Sequence, residues 1–171
     1  MWKLDGASDY DVRRPLTPTG TNLLGLVKHL AAVESGYFGD TFDRPLPDRP
    51  SWFDDETPNA DMWATADQSR TEIVELYRRV GAHADDTIEA LPLDAPGRVP
   101  WWPPDRAVTL QLILVHVIAE TARHAGHADI LREQLDGSAG VRQEHSGLWQ
   151  AEGQSWEDYR AGLQQVAETF R

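Results

Sequence analysis

The chain contains no cysteine among its 171 residues. That absence excludes disulfides, a thiol nucleophile and thiolate metal ligands, and it suits a reducing compartment, so the cytoplasm is the expected location. Basic residues are scarce. Lys and Arg number 16 against 28 Asp and Glu, a formal net charge of −12. Such a chain is expected to bind neither nucleic acid nor an anionic membrane surface, and its acidic exterior needs no explanation beyond solubility. No apolar run approaches the roughly 18 residues that suggest a membrane span. The start, Met-Trp-Lys-Leu-Asp, lacks the apolar core of a signal peptide. Familiar catalytic motifs are missing too. Without Gly-x-Ser-x-Gly, or a strand to carry it, a serine hydrolase has no support. There is also no His-Glu-x-x-His zinc-protease pair and no Gly-rich phosphate loop.

What remains is a helical chain. Hydrophobic residues make up 40% and seven residues are Trp, enough for a folded core in one expected domain, residues 1–171. A short helix is expected to end near residue 9, before Pro15. Leu23, Leu26, Val27, Leu30, Val33 and Tyr37 repeat at helical spacing and predict a helix over about 22–38, capped by Thr19 or Thr21. Residues 39–58 carry four prolines and form an irregular connection, with Trp52 and Phe53 as anchors. A third helix is expected over about 61–91. A stiff loop containing Trp101 and Trp102 comes next, then a long helix over about 107–135 that stops at Asp136-Gly137. The last helix, about 155–170, starts at Ser155 and turns Trp156, Tyr159, Leu163, Val166 and Phe170 inward. No internal repeat and no convincing strand is found. The fold class is therefore all-α, a four-helix bundle with long irregular connections. The polar residues of its long helix add a metal site to the bundle core.

The long helix holds the chemistry. His116, Glu120, His124 and His127 are spaced four, four and three apart. At ~100° per residue they fall within an arc of about 80°. Leu112, Ile113, Ile130 and Leu131 flank the same stripe. Burying such groups is costly unless each finds a partner, and a metal ion is a common one. Glu120 and His124, one turn apart, can grip one ion together. A catalytic site wants about three protein ligands and an open position. His29 is the best third ligand, in the apolar segment Leu26-Val-Lys-His-Leu-Ala-Ala-Val. Gly25, Ala32 and Gly36 share its side of the helix and leave room around the imidazole. His83 and His145 read as surface residues. The competing interpretation is a metal-free polar network of His, Glu and Arg123.

Two stretches carry a family resemblance. They are Asn22-Leu-Leu-Gly-Leu-Val-Lys-His-Leu and His116-Val-Ile-Ala-Glu-Thr-Ala-Arg-His-Ala-Gly-His-Ala-Asp-Ile-Leu-Arg-Glu. Together they resemble the DinB/YfiT-like superfamily, in particular a branch of unassigned function related to mycothiol-dependent maleylpyruvate isomerase. The resemblance covers nearly the whole chain. It implies a four-helix bundle holding a divalent metal on His29, Glu120 and His124, and it makes a homodimer an expectation. Many members have His where this chain has Glu120, and the isomerase relatives have Glu. Many continue with Arg-Gly-Gln where this chain has Ala125-Gly126-His127, so His127 is expected to act behind the ligands or as an acid/base. The family's first helix extends further before Trp2 than this chain's.

Two imidazoles and a carboxylate suit zinc first and nickel second. Such an ion lowers the pKa of a bound water or thiol. The resemblance implies a low-molecular-weight thiol of the mycothiol type, used for S-transfer to a small electrophile or for isomerisation. Lacking cysteine, the chain must take that thiol as a co-substrate. His116 or His127 is expected to shuttle the proton. Arg123 is a candidate to hold a substrate carboxylate, and Trp52, Trp101 and Trp102 are candidates to wall the pocket. The alternatives are a metal-dependent hydrolase using bound water and a non-catalytic metal-binding, dimerising stress protein.

Overall fold

Two apolar cores leave a polar gap between them, and the computed structural model shows that gap crossed by two antiparallel helices. The structure describes residues 1–54, 57–143 and 145–171; residues 55 and 56 of the first irregular connection and residue 144 of the later one lie outside the described set. The chain divides into two compact units, Met1–Ser138 and Ala139–Arg171.

The first unit is built on α1 (Asp9–Arg13), α2 (Leu23–Glu34), α3 (Arg70–Ala90) and α4 (Leu110–Asp136), with α2 packed against both α3 and α4. Leu4, Leu23, Leu26, Ile73 and Leu131 meet in one core; Tyr37, Phe38, Val99, Ile113 and Val117 meet in the other. On α2, His29 falls between Leu26 and Tyr37. On α4, Glu120 and His124 fall between Val117 and Leu131. Polar side chains from both helices therefore gather in the gap.

Caps decide where the helices begin. The Asn22 side chain accepts from Gly25 N at 2.8 Å, so Asn22, rather than Thr19 or Thr21, starts α2. Ser69 and Glu72 form a capping box that starts α3 at Arg70, not near 61. The residues freed by this later start include Ala60–Met62, a single 3₁₀ turn. Likewise Ser8 caps α1, so that short helix begins at Asp9, where the sequence pattern suggests an end. A two-residue antiparallel pairing of β1 (Pro96–Gly97) with β2 (Val108–Thr109), too short to leave a sequence pattern, leads into α4. After Glu34 the α2 helix widens into a π-helical turn, Ser35–Gly39.

The segment 60–68 lies directly on α2. Lys28 is 1% exposed, and its Nζ donates to the carbonyls of Ala60 (2.7 Å) and Trp63 (2.9 Å) and to Gln68 Oε1 (3.0 Å). The same ammonium sits 4.3 Å from the Trp52 ring centroid. Asn22 Nδ2 donates to the Met62 carbonyl at 3.3 Å. That carbonyl presses so closely on Gly25 that a Cβ there would stand 1.8 Å from its oxygen.

The second unit contains α5 (Trp156–Glu168), started by Ser155 as expected. Its expected inner face is not buried: Trp156, Tyr159, Leu163, Val166 and Phe170 are all exposed. Among the described residues, this unit offers no second helix to cover them.

Gly25→Ala is expected to force the Met62 carbonyl off α2. Overpacking of this kind costs about 1–3 kcal/mol. Urea unfolding measures it, and a wild-type midpoint would show that the segment yields freely.

Candidate metal centre

His29, Glu120 and His124 converge across the α2–α4 gap, their ligand atoms all within 4.8 Å of one another. His124 Nε2 lies 3.0 Å from Glu120 Oε1, and His29 Nε2 lies 3.7 Å from the same oxygen. The two imidazoles meet edge to face, centroids 4.7 Å apart. A tetrahedral site with bonds near 2.0–2.2 Å spaces neighbouring ligand atoms roughly 3.3 Å apart. The three donors are within small side-chain rotations of that spacing, and the N, O, N set suits a divalent ion.

Each imidazole is turned by a partner behind it. Asp61, in the turn held down by Lys28, lies 2.6 Å from His29 Nδ1. The hydrogen bond from His29 holds the Asp61 carboxyl below its ordinary range. An ionised carboxylate only accepts, so Nδ1 carries the proton and Nε2 presents its lone pair to the gap. A carboxylate behind a ligating histidine is the usual device for fixing ring and tautomer.

His124 is 4% exposed, and burial pushes its pKa down, with the charge at Arg123 and the neighbouring His29 acting in the same direction. Its Nε2 accepts from Arg123 Nη2 at 2.9 Å. With Nε2 unprotonated, the proton sits on Nδ1, which faces His127 Nδ1 at 3.4 Å. His127 is thus exposed behind His124 rather than in the gap. Arg123 Nη2 also reaches Glu120 Oε1 at 2.6 Å. That contact holds the Glu120 carboxyl down at about 2. The guanidinium thus stands between two of the three ligand atoms, where a cation belongs.

A cavity of about 450 Å³ opens beside the three residues. His29, Asp61 and Glu120 form its polar end; Ala32, Val33, Tyr37, Trp101 and His116 line the rest. Among the described residues, no Lys or Arg lines it. The candidate residues therefore divide. His116 and Trp101 are at the cavity, and Trp102 stands behind them, 5.2 Å from the His116 ring. Trp52 is elsewhere, stacked on Phe53 and lining a groove with Gln68, Glu72 and Leu76. His83 bonds the Arg44 carbonyl at 2.7 Å and takes no part. Of the three small residues on the His29 side of α2, only Ala32 lines the cavity. Gly25 seats the Met62 carbonyl and Gly36 seats Trp101.

Asp61 and Tyr37 are the site residues that sequence reasoning misses. The polar run before α3 places Asp61 at a helix start. The Ser69-x-x-Glu72 box is the available sign that the helix begins later and leaves Asp61 in a turn. Periodicity marks Tyr37 only as a core position.

A model of the mycothiol-S-transferase family matches residues 1–137. The chain belongs to this family, a DinB-like one. The matched span ends where the first compact unit does. No curated protein and no solved structure matches the chain. Membership implies S-transferase activity related to mycothiol and a thiol substrate, and with the His/Glu/His group it points to a divalent metal.

Asp61→Asn is expected to weaken metal binding about 10–100-fold, because an amide can turn its NH₂ toward His29 and favour the wrong tautomer. Arg123→Gln is expected to strengthen binding by removing a competing cation. Titration against a chromogenic chelator measures both; unchanged affinity in Asp61→Asn would remove the positioning role.

Proposed function

We propose that the protein transfers the sulfur of a low-molecular-weight thiol of the mycothiol type to a small electrophile. The transfer takes place at a divalent ion, zinc for preference, held by His29, Glu120 and His124. The observation that carries this reading is the convergence of these three residues at the polar end of an open cavity whose other end is aromatic. Family membership supports the thiol; the donor set supports the ion.

A divalent ion bound there supplies Lewis acidity that lowers the pKa of a thiol placed beside it. Asp61 keeps His29 in its ligating tautomer, and His127 does the same for His124. Glu120 is already ionised before an ion arrives, because the Arg123 contact holds its carboxyl down at about 2. His116, the imidazole on the cavity wall not drawn into the ligand set, accepts the thiol proton. The sulfur pair then forms the new S–C bond, while the bond from that carbon to its leaving group breaks and its pair departs with that group. Arg123, displaced from between Glu120 and His124 by the ion, is near enough to meet an anionic part of either substrate. The reading places the protein in a reducing cytoplasm, where such thiols stay reduced, and allows a homodimer.

The test is turnover of zinc-loaded protein with mycothiol and an electrophile, with metal content measured on the same samples. His29→Ala, Glu120→Ala and His124→Ala are expected to lose both metal and activity. By contrast, His116→Gln keeps its metal and slows transfer about 10²–10⁴-fold, the usual worth of a general acid or base. Turnover that persists without thiol would show hydrolysis and reject the reading.

A further inference from the structure

The cavity has two chemically different ends, and apart from His116 the second end has no role in thiol activation. The other end centres on Tyr37, which is buried and meets three rings edge to face. They are Trp101 at 5.1 Å, Trp102 at 5.7 Å and His116 at 4.7 Å. Trp102 is already covered by the Arg106 guanidinium at 3.9 Å. Trp101 is different. It is 54% exposed, an unusual degree for a tryptophan, yet it is not loose. Its Nε1 donates to the Tyr37 hydroxyl at 3.4 Å, and its Cη2 stands 2.6 Å from where a Cβ on Gly36 would be. The indole therefore lies in a slot that exists because residue 36 has no side chain. The aliphatic side chains of Ala32 and Val33 share the same cavity.

A rigid aromatic surface and an aliphatic lining, with no cationic side chain among the described lining residues, make a poor site for an anion. A cationic body there would be repelled by any divalent ion that His29, Glu120 and His124 held. Flat, uncharged surfaces gain most from such walls. We propose that Trp101, Tyr37 and the Gly36 slot form the electrophile subsite, and that it selects a planar, uncharged aromatic or conjugated body whose reactive carbon points to the polar end. This rests on the thiol-transfer reading for the meaning of the reactive carbon, though not for the binding itself.

The test separates the two. Binding of dinitroaniline, a neutral aromatic that cannot react, is measured by calorimetry on full-length wild type, Trp101→Ala and Gly36→Ala, with metal content and helical circular dichroism measured on each. Gly36→Ala keeps the indole but closes its slot. Both variants are expected to bind about tenfold more weakly, as loss of one aromatic stacking surface implies, with metal content unchanged. In parallel, kcat/KM with mycothiol is measured for chlorodinitrobenzene and for iodoacetamide. In each, sulfur bonds to the carbon, the carbon–halogen bond breaks and halide leaves with the pair, the thiol proton passing to His116. The ratio of the two kcat/KM values, aromatic over aliphatic, is expected to fall about tenfold in both variants. Equal losses for both electrophiles, or wild-type affinity for dinitroaniline in both variants, would overturn the proposal, as would failure of wild type to bind it. If dinitroaniline binds as expected but neither electrophile is turned over, the subsite stands and the transferase reading falls.

Discussion

The geometry of the His29, Glu120 and His124 group depends on where one buried ammonium finds its acceptors. Lys28 is surrounded by protein, and a charge so placed must be hydrogen-bonded. Its partners include the carbonyls of Ala60 and Trp63 and the amide oxygen of Gln68. Those groups belong to a segment with little regular structure of its own, so Lys28 largely decides where it lies. The neighbouring residue on α2 is His29, and the residue after Ala60 is Asp61. Fixing the carbonyls on either side of Asp61 brings its carboxylate onto the His29 ring. A desolvated charge thus acts through two peptide groups to set the tautomer of His29.

The second constraint is local competition for Glu120. In the structure, Arg123, His124 and His29 all approach the same carboxylate oxygen. The guanidinium supplies N–H donors and makes the shortest of these contacts, whereas the two imidazole nitrogens turn lone pairs toward the same oxygen. A divalent ion held there would satisfy both lone pairs and the carboxylate together. The absence of cysteine has a matching effect. With no thiolate in the chain, the thiol that family membership implies must come from solution. The proposed transfer gives the polar and aromatic ends of the cavity one reactant each.

The legible part of this arrangement is the part encoded at short range. The spacing of Glu120 and His124 fixes their common face whatever the rest of the chain does, and the apolar setting of His29 marks it as inward. Caps are legible where the helix start is unambiguous, as at Ser155, and misleading where a polar run offers several starts, as before Arg70. Asp61 is hidden because its partner lies 32 residues away and no periodicity links a turn to a helix. The small residues on α2 are visible in the sequence but suggest empty room. A glycine in sequence does not reveal whether space is left open or is filled by another part of the chain, and at Gly25 and Gly36 it is filled. Trp52 shows the converse. A tryptophan in a long connection must pack somewhere, but which face receives it depends on long-range contacts, and here Lys28 and Phe53 receive it. The exposed stripe on α5 marks the same limit, since amphipathicity identifies a helix without naming its partner.

The π-helical turn at Ser35–Gly39 itself carries Gly36 and Tyr37 of the aromatic end. His29, Glu120 and His124 sit on regular α-helix, where each side chain is indexed to its neighbours at fixed angular steps. Tyr37 and the Gly36 slot follow a different step, with Trp101 supplied by a loop. Residues can be exchanged within that turn without rotating His29. The aromatic end of the cavity can therefore be reshaped while His29, Glu120 and His124 stay in register, much as a tool holder accepts different bits without being rebuilt.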